Sequence, residues 1–303
     1  MKPTVGLESS LYPEDVRMDL QEFDSHRRTV DLAGGPVSYV DVGPSGGRTV
    51  LFVHGLGTNA YLWSGVIAEL SREHRCVAPD WPLHGQTPMP ADQDFTLGGL
   101  ARFVEDFCAA MDLTGIDLVG NDTGGAVCQT FAVAHPERLA TFTLTNCDTH
   151  DNLPPDGFEQ VVEAAQKGLL APNGPELLAR PAIARRQSFG GAYEDAGLPD
   201  DVTVRAFLEP VLGTVERGRE FERLLTSLSA KDLMALEPKL RELTVPTLIV
   251  WGTDDRFFEL KWAYWLRDTI AGAREVVEVP GGRLFFPHER PHELVTALRA
   301  FWS

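Results

Sequence analysis

The residues best placed to do chemistry stand in the run Gly120-Asn121-Asp122-Thr123-Gly124-Gly125. It follows the apolar stretch Ile116–Val119 and leads straight into a helical pattern, Ala126–His135. A strand that turns sharply into a helix strains the backbone at the middle residue of the turn, and only small flanking residues leave room for it. The middle side chain is aimed out at the helix N-terminus, where the positive end of the dipole favours an anion. A carboxylate placed there, at Asp122, can attack carbon or exchange a proton. Aspartate is also a preferred helix cap, so the pattern alone allows a purely structural role.

Two further strand ends carry reactive or enabling residues. After the apolar run Thr49–Val53 comes His54-Gly55-Leu56-Gly57, whose glycines let backbone N–H groups point into a cavity, as an anion-binding loop requires. After Thr247–Trp251 come Gly252-Thr253-Asp254-Asp255. A carboxylate at this point can orient a catalytic base, and the sequence leaves open which of Asp254 and Asp255 faces inward. Two loop acids are also common in an acidic chain.

These strand ends need a scaffold, and the rest of the chain supplies its pattern. Strand runs at Val37–Val42, Thr49–Val53, Cys76–Ala78, Ile116–Val119 and Thr141–Leu144 alternate with helical periods at Tyr61–Glu73, Leu100–Met111 and Ala126–His135. After Asn146 the rhythm breaks. A Pro-, Gly- and charge-rich stretch with helical patches runs from Asp148 to about Met234. Alternation then resumes with Thr247–Trp251, Leu260–Thr269, Glu275–Val279 and Pro291–Phe301. Such alternation predicts a mainly parallel sheet covered on both faces, interrupted by an inserted helical cap. Ligands in such proteins bind beyond the carboxyl ends of the strands, where the residues above lie.

Composition narrows the function classes. With 43% hydrophobic and 23% charged residues in 303, the chain is neither collagen-like, nor fully disordered, nor a disulfide scaffold. A net charge of −17 repels phosphate backbones and anionic lipid, so neither a nucleic-acid nor a membrane partner is expected. No stretch approaches the ~20 apolar residues of a membrane span, and Met1–Asp19 lacks the pattern of a secretory signal. Cys76, Cys108, Cys128 and Cys147 are too widely spaced to cluster around zinc. They read as buried free thiols of a cytoplasmic protein. With no phosphate loop, dinucleotide fingerprint or metal cluster, no cofactor or metal is expected. A small hydrophobic substrate is the expected partner, and a homodimer is left open.

Together these residues resemble the α/β-hydrolases, within them the aspartate-nucleophile branch of haloalkane dehalogenases and epoxide hydrolases. The likeness runs from about Val37 to Trp302. The segment His54-Gly55-Leu56-Gly57-Thr58-Asn59-Ala60-Tyr61-Leu62-Trp63 is similar to the dehalogenase segment after the third strand. Arg75-Cys76-Val77-Ala78-Pro79-Asp80 with His84-Gly85 resembles the next strand and loop, and His135-Pro136-Glu137-Arg138 the usual helix exit. The resemblance implies an α/β-hydrolase fold, a mainly parallel eight-stranded sheet flanked by helices. A core of residues 1–147 and 235–303 would carry a helical cap, 148–234, inserted after the sixth strand. It also implies Asp122 as nucleophile, the Leu56 and Thr123 backbone N–H groups as anion site, and Asp255 as the acid behind the base.

The chain departs from that pattern where the base should be. Family members place a histidine seven residues before the proline that opens the last helix. Counting back from Pro291 lands on Leu284. His288 is the nearby substitute, on a loop that would need to rearrange by a turn to reach Asp122. The side chains that clamp halide in dehalogenases, Trp after the nucleophile and Asn after His-Gly, are Thr123 and Leu56 here. Trp81 could offer an indole N–H instead. Epoxide hydrolases use cap tyrosines as proton donors, and Tyr193 is the one tyrosine in the cap stretch. His54 would shape the pocket rim, His150 could reach in from the cap, Asn146 could orient water or substrate, and Leu284 with Phe285 would make one corner apolar.

The expectation is a hydrolase that uses Asp122 on a small-to-medium hydrophobic substrate of epoxide or carbon–halogen type, with Asp255 and His288 in support. Two alternatives remain open on the sequence. One is a lyase, isomerase or cyclase with Asp122 as general acid/base; the other is a catalytically impaired small-molecule binding protein. A strained elbow costs stability, which argues that the chain performs some chemistry.

Overall fold

The computed structural model describes residues 17–303, so the reading of Met1–Asp19 lies mostly outside the described residues. The strands are β1 (Arg27–Leu32), β2 (Gly35–Val42), β3 (Thr49–Val53), β4 (Arg75–Pro79), β5 (Ile116–Asp122), β6 (Leu139–Cys147), β7 (Thr247–Gly252) and β8 (Ala273–Val279). They form one sheet in the order β1-β2-β4-β3-β5-β6-β7-β8. β1 and β2 make an antiparallel hairpin, β2 meets β4 antiparallel, and every pairing from β4 through β8 is parallel. The eight-stranded, mainly parallel sheet implied by the resemblance is the one the chain builds.

β5 and β7 are buried along their whole length; β7 accordingly reads as a near-continuous apolar run, whereas β5 carries buried Asp117, Asn121 and Asp122. Helices Leu97–Ala110 and Thr123–Ala134 pack together, as do Ser64–Leu70 and Pro291–Trp302, and Leu260–Thr269 packs on β7 and β8. Between β6 and β7 the chain runs through helices Glu159–Gln166, Leu170–Leu178, Pro181–Phe189, Asp201–Leu212, Val215–Ser227 and Ala230–Met234.

Strand register places the site. Val53 pairs with Gly120, so the loop after β3 and the turn after β5 emerge side by side. Asp122 pairs with Cys147, which delivers the residue after β6 next to Asp122. Thr145 pairs with Val250, bringing Asn146 to the loop after β7.

Three local details differ from the sequence expectation. β1 was not foreseen as a strand: Arg27-Arg28-Thr29-Val30-Asp31-Leu32 has only two apolar residues, enough for a half-exposed edge strand. The Tyr61–Glu73 pattern divides into a 3-10 turn, Ala60–Trp63, and a shorter helix, Ser64–Leu70. The helix after β5 begins at Thr123 rather than Ala126, taking two glycines into its first turn. All four cysteines are buried as free thiols. Among the described residues, no helix is long and apolar enough to cross a membrane.

Candidate active site

Asp122 closes β5 and caps the following helix with φ 56° and ψ −138°. A non-glycine residue held in that region costs about 1–3 kcal/mol, so the surroundings must enforce it. They do so by close approach. A Cβ on Gly55 would lie 2.3 Å from Asp122 Oδ2, and one on Gly124 would lie 2.3 Å from the His54 carbonyl oxygen. Only glycine at both positions lets the two loops press together.

The contact has an electrostatic result. The backbone N–H groups of Thr123 and Leu56, the two expected anion donors, both face the Asp122 carboxylate. Burial nevertheless pushes this carboxyl well above the usual range, and the charge of Asp148 pushes it further; the two N–H groups oppose the rise, and Asp255 adds to it.

Asp148 is the residue that the sequence reading missed as part of the site. It follows β6 directly and is 1% exposed. Thr123 Oγ1 donates to its Oδ2 over 2.6 Å. Its Oδ1 is buried without a hydrogen-bond partner among the described residues. Burial pushes it up to about 7, against the pull of the Thr123 hydroxyl. An acid immediately beyond the end of a central parallel strand was the available signal.

Asp255 is the inward member of its pair; Asp254 is exposed. Asp255 Oδ1 accepts the N–H groups of Phe257 and Phe258 at 2.8 and 3.2 Å, and Oδ2 accepts Asn146 Nδ2 at 2.7 Å. Asn146 also exchanges hydrogen bonds with Gly252, accepting its N–H at 2.7 Å and donating to its carbonyl at 3.2 Å. Burial raises Asp255 to about 6, opposed by these donors and by the charge of Arg283.

The histidines serve the scaffold. His54 Nδ1 donates to the Gly55 carbonyl at 2.9 Å, while Nε2 accepts the Trp81 N–H at 3.1 Å. His84 likewise gives Nδ1–H to the Pro82 carbonyl at 3.2 Å and accepts the Gly57 N–H at 3.3 Å. A carbonyl only accepts, so Nδ1 carries the proton in both rings. Burial pushes each to about 3, so both are neutral. Trp81 stacks on His54 with ring centroids 5.0 Å apart, and its indole Nε1 is buried without a partner among the described residues.

His288, expected as the substitute base, makes no hydrogen bond to the carboxylates among the described residues. It is 4% exposed, and its partner is the Tyr193 hydroxyl, 3.1 Å from Nδ1. The rings of Tyr61, Tyr193 and Phe207 surround it, and burial pushes it down to about 3. His150 faces Asp151 and Glu237 and packs on Trp265. Leu284 and Phe285 are buried. The Leu284 carbonyl accepts Asn121 Nδ2 at 3.0 Å, and the Phe285 N–H donates to the Ala192 carbonyl at 3.0 Å. Asn121 also reaches the Thr145 hydroxyl at 3.0 Å, so this neighbour of Asp122 ties together the ends of three strands.

The structure thus brings Leu56, Thr123 and Asp148 to Asp122, and pairs Asn146 with Asp255 at the neighbouring strand ends. It sets His288 with Tyr193 in a separate aromatic cluster. A surface groove of about 430 Å³ runs along Arg27, Asn59, Gln86, Arg205, Glu209 and Arg217, and Asp122 does not line it. Among the described residues, no three metal-ligating side chains converge.

Comparisons with known proteins agree with this architecture. The chain is 25% identical over 292 residues to haloalkane dehalogenase 2 of Mycobacterium tuberculosis, covering 94% of this chain and 97% of that protein. Its fold matches the crystal structure of an ancestral haloalkane dehalogenase with a TM-score of 0.75 at 18% identity, covering 90% of this chain and 97% of that one. An epoxide hydrolase from hot-environment metagenomes matches with a TM-score of 0.73 at 19% identity over 91% of this chain and 98% of its own. At such identities the structural likenesses establish the fold alone. The sequence profile of the alpha/beta hydrolase fold family matches residues 48–289. The chain belongs to the α/β-hydrolase fold family.

Proposed function

We propose that the protein is a hydrolase that attacks an electrophilic carbon with Asp122, forms an ester there, and releases the product with water. One observation carries this reading: the Thr123 and Leu56 N–H groups converge on the carboxylate of a strained, strand-end aspartate. Donors in that position hold the non-attacking oxygen and, once the ester forms, receive the charge that develops as water adds to its carbonyl. A residue that only capped the helix would point its carboxylate back at the helix; Asp122 makes no such side-chain cap.

Among electrophiles, the epoxide class fits better than the carbon–halogen class. Leu56 and Thr123 bring no side-chain N–H to hold a departing halide, whereas a buried protonated acid can supply the proton that an opening epoxide oxygen needs. Incubation with styrene oxide in heavy-oxygen water, followed by peptide mass analysis, tests the reading. Label appearing in Asp122 over several turnovers is the expected result. Label entering only the diol would mean that water attacks the substrate directly.

The raised proton affinity of Asp122 favours a second reading, in which the same carboxyl acts as a general acid in a lyase, isomerase or cyclase. That reading leaves Asp122 unlabelled.

A further inference from the structure

The nucleophile reading needs a group to move protons, and the expected histidine position is Leu284. Neither His54 nor His84 is available, since both nitrogens of each ring are engaged with backbone groups. His288 is engaged with Tyr193. We propose that Asp148 fills the role: it protonates the opening epoxide oxygen, then activates the water that cleaves the Asp122 ester. The proposal rests on the reading of Asp122 as nucleophile.

Three structural facts support it. The pairing of Asp122 with Cys147 puts Asp148 beside the nucleophile. Thr123 holds both acids, facing Asp122 with its N–H and clamping Asp148 Oδ2 with its hydroxyl at 2.6 Å. Asp148 Oδ1 has no partner among the described residues although it is fully buried. Leaving a buried carboxylate oxygen unpaired is costly, and such groups concentrate where a protein uses them. The proton affinity of Asp148, raised to about 7 by burial, suits a group that must give and take a proton near neutral pH.

The chemistry closes with one proton on the pair. Asp122, ionised, attacks a ring carbon; the C–O bond breaks, and its electron pair goes to the epoxide oxygen, which takes the proton of Asp148. This leaves an ester at Asp122, a new hydroxyl and an ionised Asp148. Asp148 then takes a proton from water as the water oxygen adds to the ester carbonyl, and the Leu56 and Thr123 N–H groups hold the resulting oxyanion. Collapse breaks the ester C–O bond, and the departing alkoxide takes back a proton from Asp148. The products are a diol and a carboxyl pair that again shares one proton.

The test mixes wild type, Asp148→Asn and Asp122→Asn with styrene oxide, following diol release and intact-protein mass together. Wild type is expected to give diol without a lasting adduct. Asp148→Asn loses the donor for ring opening as well as the base, so diol release should fall at least about 100-fold, and the substrate mass that forms on Asp122 should build up slowly and persist. An adduct also shows that the variant has folded its site. Asp122→Asn should give neither. Asp148→Asn turning over like wild type with no adduct overturns the role of Asp148 and spares Asp122. Full turnover by Asp122→Asn, or neither diol nor adduct from wild type, overturns the nucleophile reading and the proposal with it.

Thr123→Val separates proton transfer from mere packing. The groups facing Asp148 are Asp122, the Cys147 thiol and the Thr123 hydroxyl, and of these the hydroxyl lowers its proton affinity. Its loss should move the limb of the kcat profile that requires ionised Asp148 to higher pH. A limb that stays in place contradicts the proposal.

Discussion

Asn146 Nδ2 donates to Asp255 Oδ2 over 2.7 Å, and the other Asp255 oxygen is filled by two backbone N–H groups. The acid that would steady a histidine is therefore satisfied without one. Its carboxylate braces the loop after β7 against β6.

It follows that Asp255→Asn should slow turnover by less than about tenfold, because no imidazole loses its orientation. Steady-state kinetics on an epoxide substrate measures this. A loss as deep as that of Asp122→Asn would mean that Asp255 acts directly in the chemistry.

Asp122→Asn should lower kcat by about 10³-fold or more, the usual consequence of removing a nucleophile. A shift confined to KM would point to a binding role instead.

The buried acids make stability depend on pH in a definite direction. Asp122, Asp148 and Asp255 all hold protons more tightly when folded than when unfolded. Between about pH 4 and pH 7 these three acids bind more protons in the folded state, so their contribution to stability falls as pH rises through that window. Arg283 offsets part of this at Asp255, and His54, His84 and His288 act the other way: held neutral by burial when folded, they take up protons on unfolding below about pH 6.5, so their contribution rises with pH. Asp148→Asn should raise the melting temperature at pH 8 by roughly 2–4 °C for each kcal/mol recovered, with no gain at pH 4. An equal change at both pH values would locate the effect in packing rather than charge.

Gly55→Ala puts a methyl group 2.3 Å from Asp122 Oδ2 and cannot be absorbed without moving the nucleophile or its loop. Displacements of about 1 Å can cost 10²-fold in rate, so activity should collapse by at least that much. Thermal denaturation run in parallel will show whether the fold survives the change.

Leu284→His in the Asp148→Asn background restores the residue type that the family resemblance expects. If the stalled step is proton removal from water, diol release should recover by about tenfold or more, with the pH dependence of an imidazole. Single-turnover decay of the Asp122 adduct reads this step directly.

Much of this arrangement was legible in the residues. The elbow at Asp122 showed itself because glycines at 120, 124 and 125 have few other reasons to flank an acid between a strand and a helix. Leu56 and Thr123 came from the family resemblance rather than from spacing. What sequence could not convey was a matter of register and burial. Asp148 reads as the first polar residue of a loop until β6 is aligned on β5, whereupon it lies beside Asp122. His288 reads as a substitute base until Tyr61, Tyr193 and Phe207 are seen to close over it. β1 hid because an edge strand needs little apolar content.

The loop after β8 is stitched to the stretch between helices Pro181–Phe189 and Asp201–Leu212. Six hydrogen bonds join them, linking Phe285 to Ala192, Arg283 to Tyr193, Tyr193 to His288, Glu289 to Glu194 and Asp195, and Arg290 to Glu194. In mechanical terms this corner is a clamp. The helix pair Asp201–Leu212 and Val215–Ser227 is fastened again on its other side, by the Asn59 amide on the Ala206 carbonyl and by Arg223 on the Gln93 carbonyl. The loop that carries Leu284 is thereby a fastened corner rather than a free one.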